Sequence, residues 1–143
     1  MNKVWRIGEH EVRYEEDAGF IVLVHVGVMG PDEVRAVSKA MDECMLFSPP
    51  GAPAFLLADS RKATGMNVNG REVVASKAQI ANGDTYVAVF GAPFAYRVVL
   101  NLVFRGVGLI TDKMKAIAVA DEAEARVWLT EKRQSYLASR EQT

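Results

Sequence analysis

Cysteine and histidine are scarce in this sequence, and their scarcity removes whole classes of chemistry. Cys44 is the single cysteine among 143 residues, so no internal disulfide can form. His10 and His25 are the two histidines, and neither has the spacing or the cysteine neighbour of a zinc site. A reducing cytoplasm is the compartment this implies, and no cofactor is called for. Charge of one sign is also missing. Seventeen Lys and Arg against 18 Asp and Glu leave a formal net charge of −1, without the basic excess that a general grip on nucleic acid needs. No stretch offers about 18 uninterrupted apolar residues, and Met1-Asn2-Lys3-Val4-Trp5-Arg6 leads into no apolar run of signal-peptide type, so neither a membrane span nor a leader is expected. Apolar residues, by contrast, make up 50% of the chain. The length suits one domain over residues 1–143, with a core large enough to need neither disulfides nor a structural metal.

The apolar residues are organised as strands alternating with helices. Val4–Ile7 and Glu11–Tyr14 are short, β-prone and separated by Gly8-Glu9-His10, and Asp17-Ala18-Gly19 supplies a second turn. Phe20–Val26 is apolar at both phases of a period-2 pattern, the mark of a strand covered on both faces. Gly30-Pro31-Asp32-Glu33 opens a helix, with proline where the first-turn N–H is dispensable and two acids at the positive end of the dipole. Val34, Val37, Met41, Cys44 and Met45 share one face of it, which makes Cys44 a core thiol. Ala54–Asp59 and Thr85–Phe90 are further buried-strand runs, and Lys115–Val119 is the last. Between them, residues 60–70 read as a loop, and a helix fits Arg71–Ala81 ahead of the stop Asn82-Gly83. Pro93 opens a helix to about Gly106, and Asp121-Glu122-Ala123-Glu124 has the form of a capping box before the final helix, whose tail frays from about residue 138. This order calls for right-handed crossovers onto one mixed, mostly parallel α/β sheet with an antiparallel N-terminal hairpin at its edge.

Two places carry candidate function. The first is Asp59-Ser60-Arg61-Lys62-Ala63-Thr64-Gly65, at the C-terminal end of a central strand, where open α/β sheets gather ligand and partner contacts. Asp59 braces this loop, or the loop is a switch: a phosphate on Ser60 or Thr64 would add up to about two negative charges beside Arg61 and Lys62. A hydrolase built on Asp59 and Ser60 lacks a general base, since neither histidine is evidently near. His25, in mid-strand, reads as a hydrogen-bonded core residue. The second place is the helix from Pro93 to Gly106, where Arg97, Asn101 and Arg105 form a narrow polar stripe and apolar residues cover more of the circumference than a surface helix requires. Tyr96, Arg97, Leu100, Val103 and Phe104 are the expected oligomer face, or the wall of an apolar-ligand pocket.

The strand Phe20–Val26 with Gly27-Val28-Met29-Gly30-Pro31-Asp32-Glu33 after it, the strand Phe55–Asp59 with Ser60-Arg61, and the ending Ile117-Ala118-Val119-Ala120-Asp121-Glu122-Ala123-Glu124-Ala125-Arg126-Val127-Trp128-Leu129 together resemble the SpoIIAA-like STAS/SEC14 group of small bacterial proteins. The likeness spans roughly residues 4–130, and its most specific part is the terminal acid-Ala-Trp-Leu helix start. It implies a STAS-type domain with helices chiefly on one face of the sheet. The role it implies is a non-enzymatic one in binding or regulation, and with the apolar helix and the lone cysteine the expectation is a homodimeric protein–protein interaction or regulatory module of a bacterial cytoplasm. The alternative is a carrier or sensor of a small apolar or lipid-like molecule. Anti-sigma-factor antagonists of this kind carry an Asp-Ser-Ser/Thr-Gly segment with a phosphorylated serine. Here Asp59-Ser60 is followed by Arg61-Lys62-Ala63, and glycine arrives only at Gly65.

Overall fold

The chain enters through β1 (Lys3–Ile7), turns at Gly8-Glu9 and returns as β2 (His10–Glu15), which pairs antiparallel with both β1 and β3 (Phe20–Met29). After β3 the pairing becomes parallel: α1 (Pro31–Cys44) and a short 3-10 turn (Met45–Phe47) lead to β4 (Ala54–Met66), followed by β5 (Thr85–Phe90). From β5 the chain continues through α2 (Phe94–Ile110) to β6 (Met114–Val119), and α3 (Glu122–Glu141) ends it. This computed structural model describes residues 3–66, 84–110 and 112–141, and the expected helix Arg71–Ala81 lies outside them. Among the described residues the six strands lie in sequence order across one sheet, which leaves β1 and β6 at its edges.

Alternation along the central strands assigns their side chains to three helices. Phe20 and Val22 of β3, Phe55 and Leu57 of β4, and Ala88 and Phe90 of β5 point to one face, where Ala125 and Leu129 of α3 cover them. Ile21 of β3 points the other way, onto α1 with Val34, Val37 and Cys44, and Val87, Val89, Met114 and Ala118 meet Leu100 and Phe104 of α2 on that same face. Right-handed crossovers between neighbouring parallel strands that advance in one direction must put α1 and α2 on the same side. The opposite side is left to α3. Arg126 ties α3 to the hairpin through a bidentate pair with Glu15, at 2.8 and 3.1 Å, while also reaching Glu122 at 2.8 Å. Those hydrogen bonds hold the Glu15 carboxyl below its usual pKa against the effect of burial.

Two local expectations are corrected. Residues 60–66 are strand, not loop, because β3 runs on past Val26 to Met29 and offers β4 a partner as far as Met66. Two register shifts take up the extra residues of β4, between Val24 and Val26 and between Gly27 and Val28 of its partner. The second helix continues past Gly106 to Ile110. Glycine in mid-helix costs about 1 kcal/mol each, and the packing of Leu100 and Phe104 on the sheet offsets it. The last helix runs through Glu141. Asp121 caps it as its sequence suggested, accepting from the Glu124 N–H at 2.9 Å.

Candidate functional site

Asp59, Ser60 and Arg61 sit where β4 passes the C-terminal end of β5. The Asp59 carboxylate accepts from the Arg61 backbone N–H at 3.0 Å and from its guanidinium at 3.0 and 2.7 Å. Burial works to raise the Asp59 pKa, and the Arg61 hydrogen bonds overcome it and hold the carboxyl below its usual range. The guanidinium lies 5.4 Å from the centre of the Phe90 ring. Arg61 is thus committed to a brace between β4 and β5. Ser60 is 8% exposed in the strand, so its hydroxyl is not offered on an open loop. Thr64 is exposed in the same strand, and Gly65 pairs with Val28 of β3.

The polar stripe of α2 lies elsewhere, on a groove along the free edge of β6. A cavity of about 630 Å³ is floored by Met114–Ala120, walled on one side by Arg97, Asn101, Phe104 and Arg105 of α2, and on the other by Glu124 and Trp128 of α3. Lys115 adds a third cation, so three positive groups face one acid. The Arg97 Nε is buried without a hydrogen-bond partner among the described residues, and its guanidinium rests 5.5 Å from the Phe94 ring centre. Asn101 bonds the strand itself: its Nδ2 donates to the Ala118 carbonyl at 3.2 Å, and the Ala118 N–H donates to its Oδ1 at 2.9 Å. One side-chain amide there does what a neighbouring strand would do.

The expected oligomer face is divided by this arrangement. Arg97 and Phe104 line the groove, Leu100 and Phe104 pack on the sheet, and Tyr96 and Val103 are half-buried. The free apolar surface of α2 belongs instead to Phe94, Val98, Val99, Leu102 and Leu109, with Phe94 72% and Leu109 87% exposed. The sequence shows the stripe Arg97, Asn101 and Arg105 but not its counterpart on β6 and α3. The available signal was an amide set between Leu100 and Leu102 in an otherwise apolar run.

The histidines meet in a third cluster. His10 Nδ1 accepts from the Val26 N–H at 3.1 Å, which leaves its proton on Nε2, facing the Glu33 carboxylate at 2.8 Å. Glu33 also accepts from the Gly30 N–H at 3.1 Å and so closes the first turn of α1. The rings of His10 and His25 are 5.4 Å apart. Burial first, then His10, pushes the His25 imidazole below its usual pKa against the opposing pull of Glu33. No group of ligands suited to a metal ion occurs among the described residues. The unfolded chain protonates His25 before the folded one does, so its contribution to stability is complete above about pH 6.5 and declines as pH falls below that. The protein is expected to melt at lower temperature at pH 5.5 than at pH 7.5, and His25→Leu to narrow that difference; an equal difference in both would place the titrating group elsewhere. Glu15 and Asp59, with lowered pKa values, act only at more acidic pH.

A six-stranded mixed sheet with this hairpin and these helices is a SpoIIAA-like fold. The crystal structure of an uncharacterized protein of the DUF3478 family, with a SpoIIAA-like fold, from Shewanella loihica PV-4 is similar with a TM-score of 0.58 over 90% of this chain and 92% of that one, at 12% identity. No family model matches the chain, and no curated protein matches it. No helix among the described residues is long and apolar enough to cross a membrane.

Proposed function

We propose that the protein is a non-enzymatic interaction module that pairs with a second copy of itself through the outer face of α2. The observation that carries this is the exposed arc Phe94, Val98, Leu102 and Leu109, which lies on one side of a helix of 17 residues, about 25 Å long. A two-fold axis near Leu102 brings Phe94 of each copy towards Leu109 of the other, and exposed Arg105, three residues after Leu102 and four before Leu109, is the charged residue on the same side of the helix. Interfaces of that kind are isologous and close at two subunits. Leu102→Asp is expected to convert a dimer to a folded monomer in light scattering, with its melting temperature nearly unchanged. Leu100→Asp, on the sheet side of the same helix, is expected to unfold the protein. A wild-type monomer at about 100 μM, weaker than specific association of this kind requires, overturns the reading.

The alternative, a carrier of a small apolar molecule, would use the groove beside β6, whose volume is in the range of small-molecule sites. Its floor is the polar edge of a strand, and so the interaction reading stands ahead. A phosphoryl switch at Ser60 would need β4 to open locally; intact mass of protein from its own host reports both a phosphoryl group and a retained ligand.

A further inference from the structure

We propose that the β6 groove is a second docking surface, which takes an extended acidic segment of a partner protein as a seventh strand of the sheet. The backbone supplies the first reason. Lys113 directs its carbonyl inward to the Thr85 N–H, and Ala118 presents both of its groups outward to Asn101, so by alternation Met114 and Ala116 also face outward. Among the described residues nothing pairs them. Asn101 occupies only the Ala118 position, as a place-holder for a peptide unit.

The occupant is decided by polarity and charge. A hydrocarbon chain laid on this floor would bury the outward N–H and C=O groups of Met114 and Ala116 without partners, whereas an added strand hydrogen-bonds them. A second copy of β6 would bring two sets of Arg97, Arg105 and Lys115 together, and the like charges oppose it. An acidic strand meets Arg97 and Arg105 instead. Side chains of an added strand alternate between the α2 wall, with Arg97 and Arg105, and the α3 wall, with Trp128. The matching sequence therefore alternates acidic with apolar residues, and six of them span about 20 Å.

The probe is the peptide acetyl-Glu-Val-Glu-Val-Glu-Val-amide, titrated into the isotopically labelled full chain and followed by amide NMR and hydrogen exchange. Binding is expected with a dissociation constant on the order of 0.1–1 mM at low salt, with slowed exchange at Met114 and Ala116, and at least about tenfold weaker binding of the Lys-Val counterpart. Asn101→Ala is expected to tighten binding about threefold by vacating Ala118. A peptide N-methylated on the edge facing β6 is expected not to bind, and that control leaves the protein's own fold untouched. Equal binding of the acidic and basic peptides, no binding at several millimolar, or capture of dodecanoate at the groove without protection of Ala116 would each overturn the proposal, the last in favour of a carrier. The same titration on Leu102→Asp separates this surface from the α2 interface: acidic-peptide binding there is expected to survive even if self-association fails.

Discussion

Gly91→Ala is expected to cost about 2–3 kcal/mol, whereas Gly27→Ala costs only about 1 kcal/mol. Both glycines have positive φ, +85° at Gly91 and +68° at Gly27, a region in which an L side chain is strained. They differ in surroundings. A Cβ at Gly27 would meet nothing within 4 Å, but one at Gly91 would lie 2.3 Å from the Arg61 Cγ and 3.0 Å from its backbone N. The Arg61 side chain can swing aside only by leaving Asp59 and Phe90, and the backbone N cannot swing at all, because it belongs to β4. Chemical denaturation of the two variants measures the difference directly. Equal losses would mean that Gly91 is needed for its φ alone and that the Asp59–Arg61 brace carries no strain. If Arg61 does move, the Asp59 carboxyl also rises in pKa, an independent reading by NMR titration.

Leu129→Ala is expected to remove about 3–4 kcal/mol and to lower the melting temperature by roughly 10 °C. Leu129 is 0% exposed and lies with Phe20, Leu57, Ala88 and Phe90 under α3. Among the described residues, α3 is the helix that covers that face of the sheet, so the cavity left by alanine has little to collapse onto it. A loss below about 1 kcal/mol would mean that α3 is not docked as described. Trp128, one residue earlier, lines the β6 groove, so a loosened α3 is also expected to weaken the acidic-peptide binding proposed for that edge.

The groove illustrates how differently the two halves of a site can be written into a chain. Its α2 wall is local information: Arg97, Asn101 and Arg105 recur every four residues and therefore share a helix face in any context. That this face overlooks the edge of β6, opposite Trp128, depends on strand order and on α3 crossing to the other side of the sheet. The Asp59–Ser60–Arg61 segment went the other way. Its residues read as a loop with a hydroxyl, an acid and free cations, yet pairing with β3 draws it into a strand that buries Ser60 and binds Arg61 to Asp59.

By itself the sequence determined the hairpin, the two-faced central strands, the capped start of α3, the burial of Cys44, whose pKa burial pushes up to about 12, and the mostly parallel order of the sheet. These follow from periodicity and capping, which act within a few residues. Only the tertiary structure decided how far β3 and β4 extend, which residues of α2 remain free, and that Asn101 pairs with Ala118. Each of those depends on a partner distant in the chain, because a strand ends where its neighbour stops supplying hydrogen bonds and a helix face is free only if nothing packs against it.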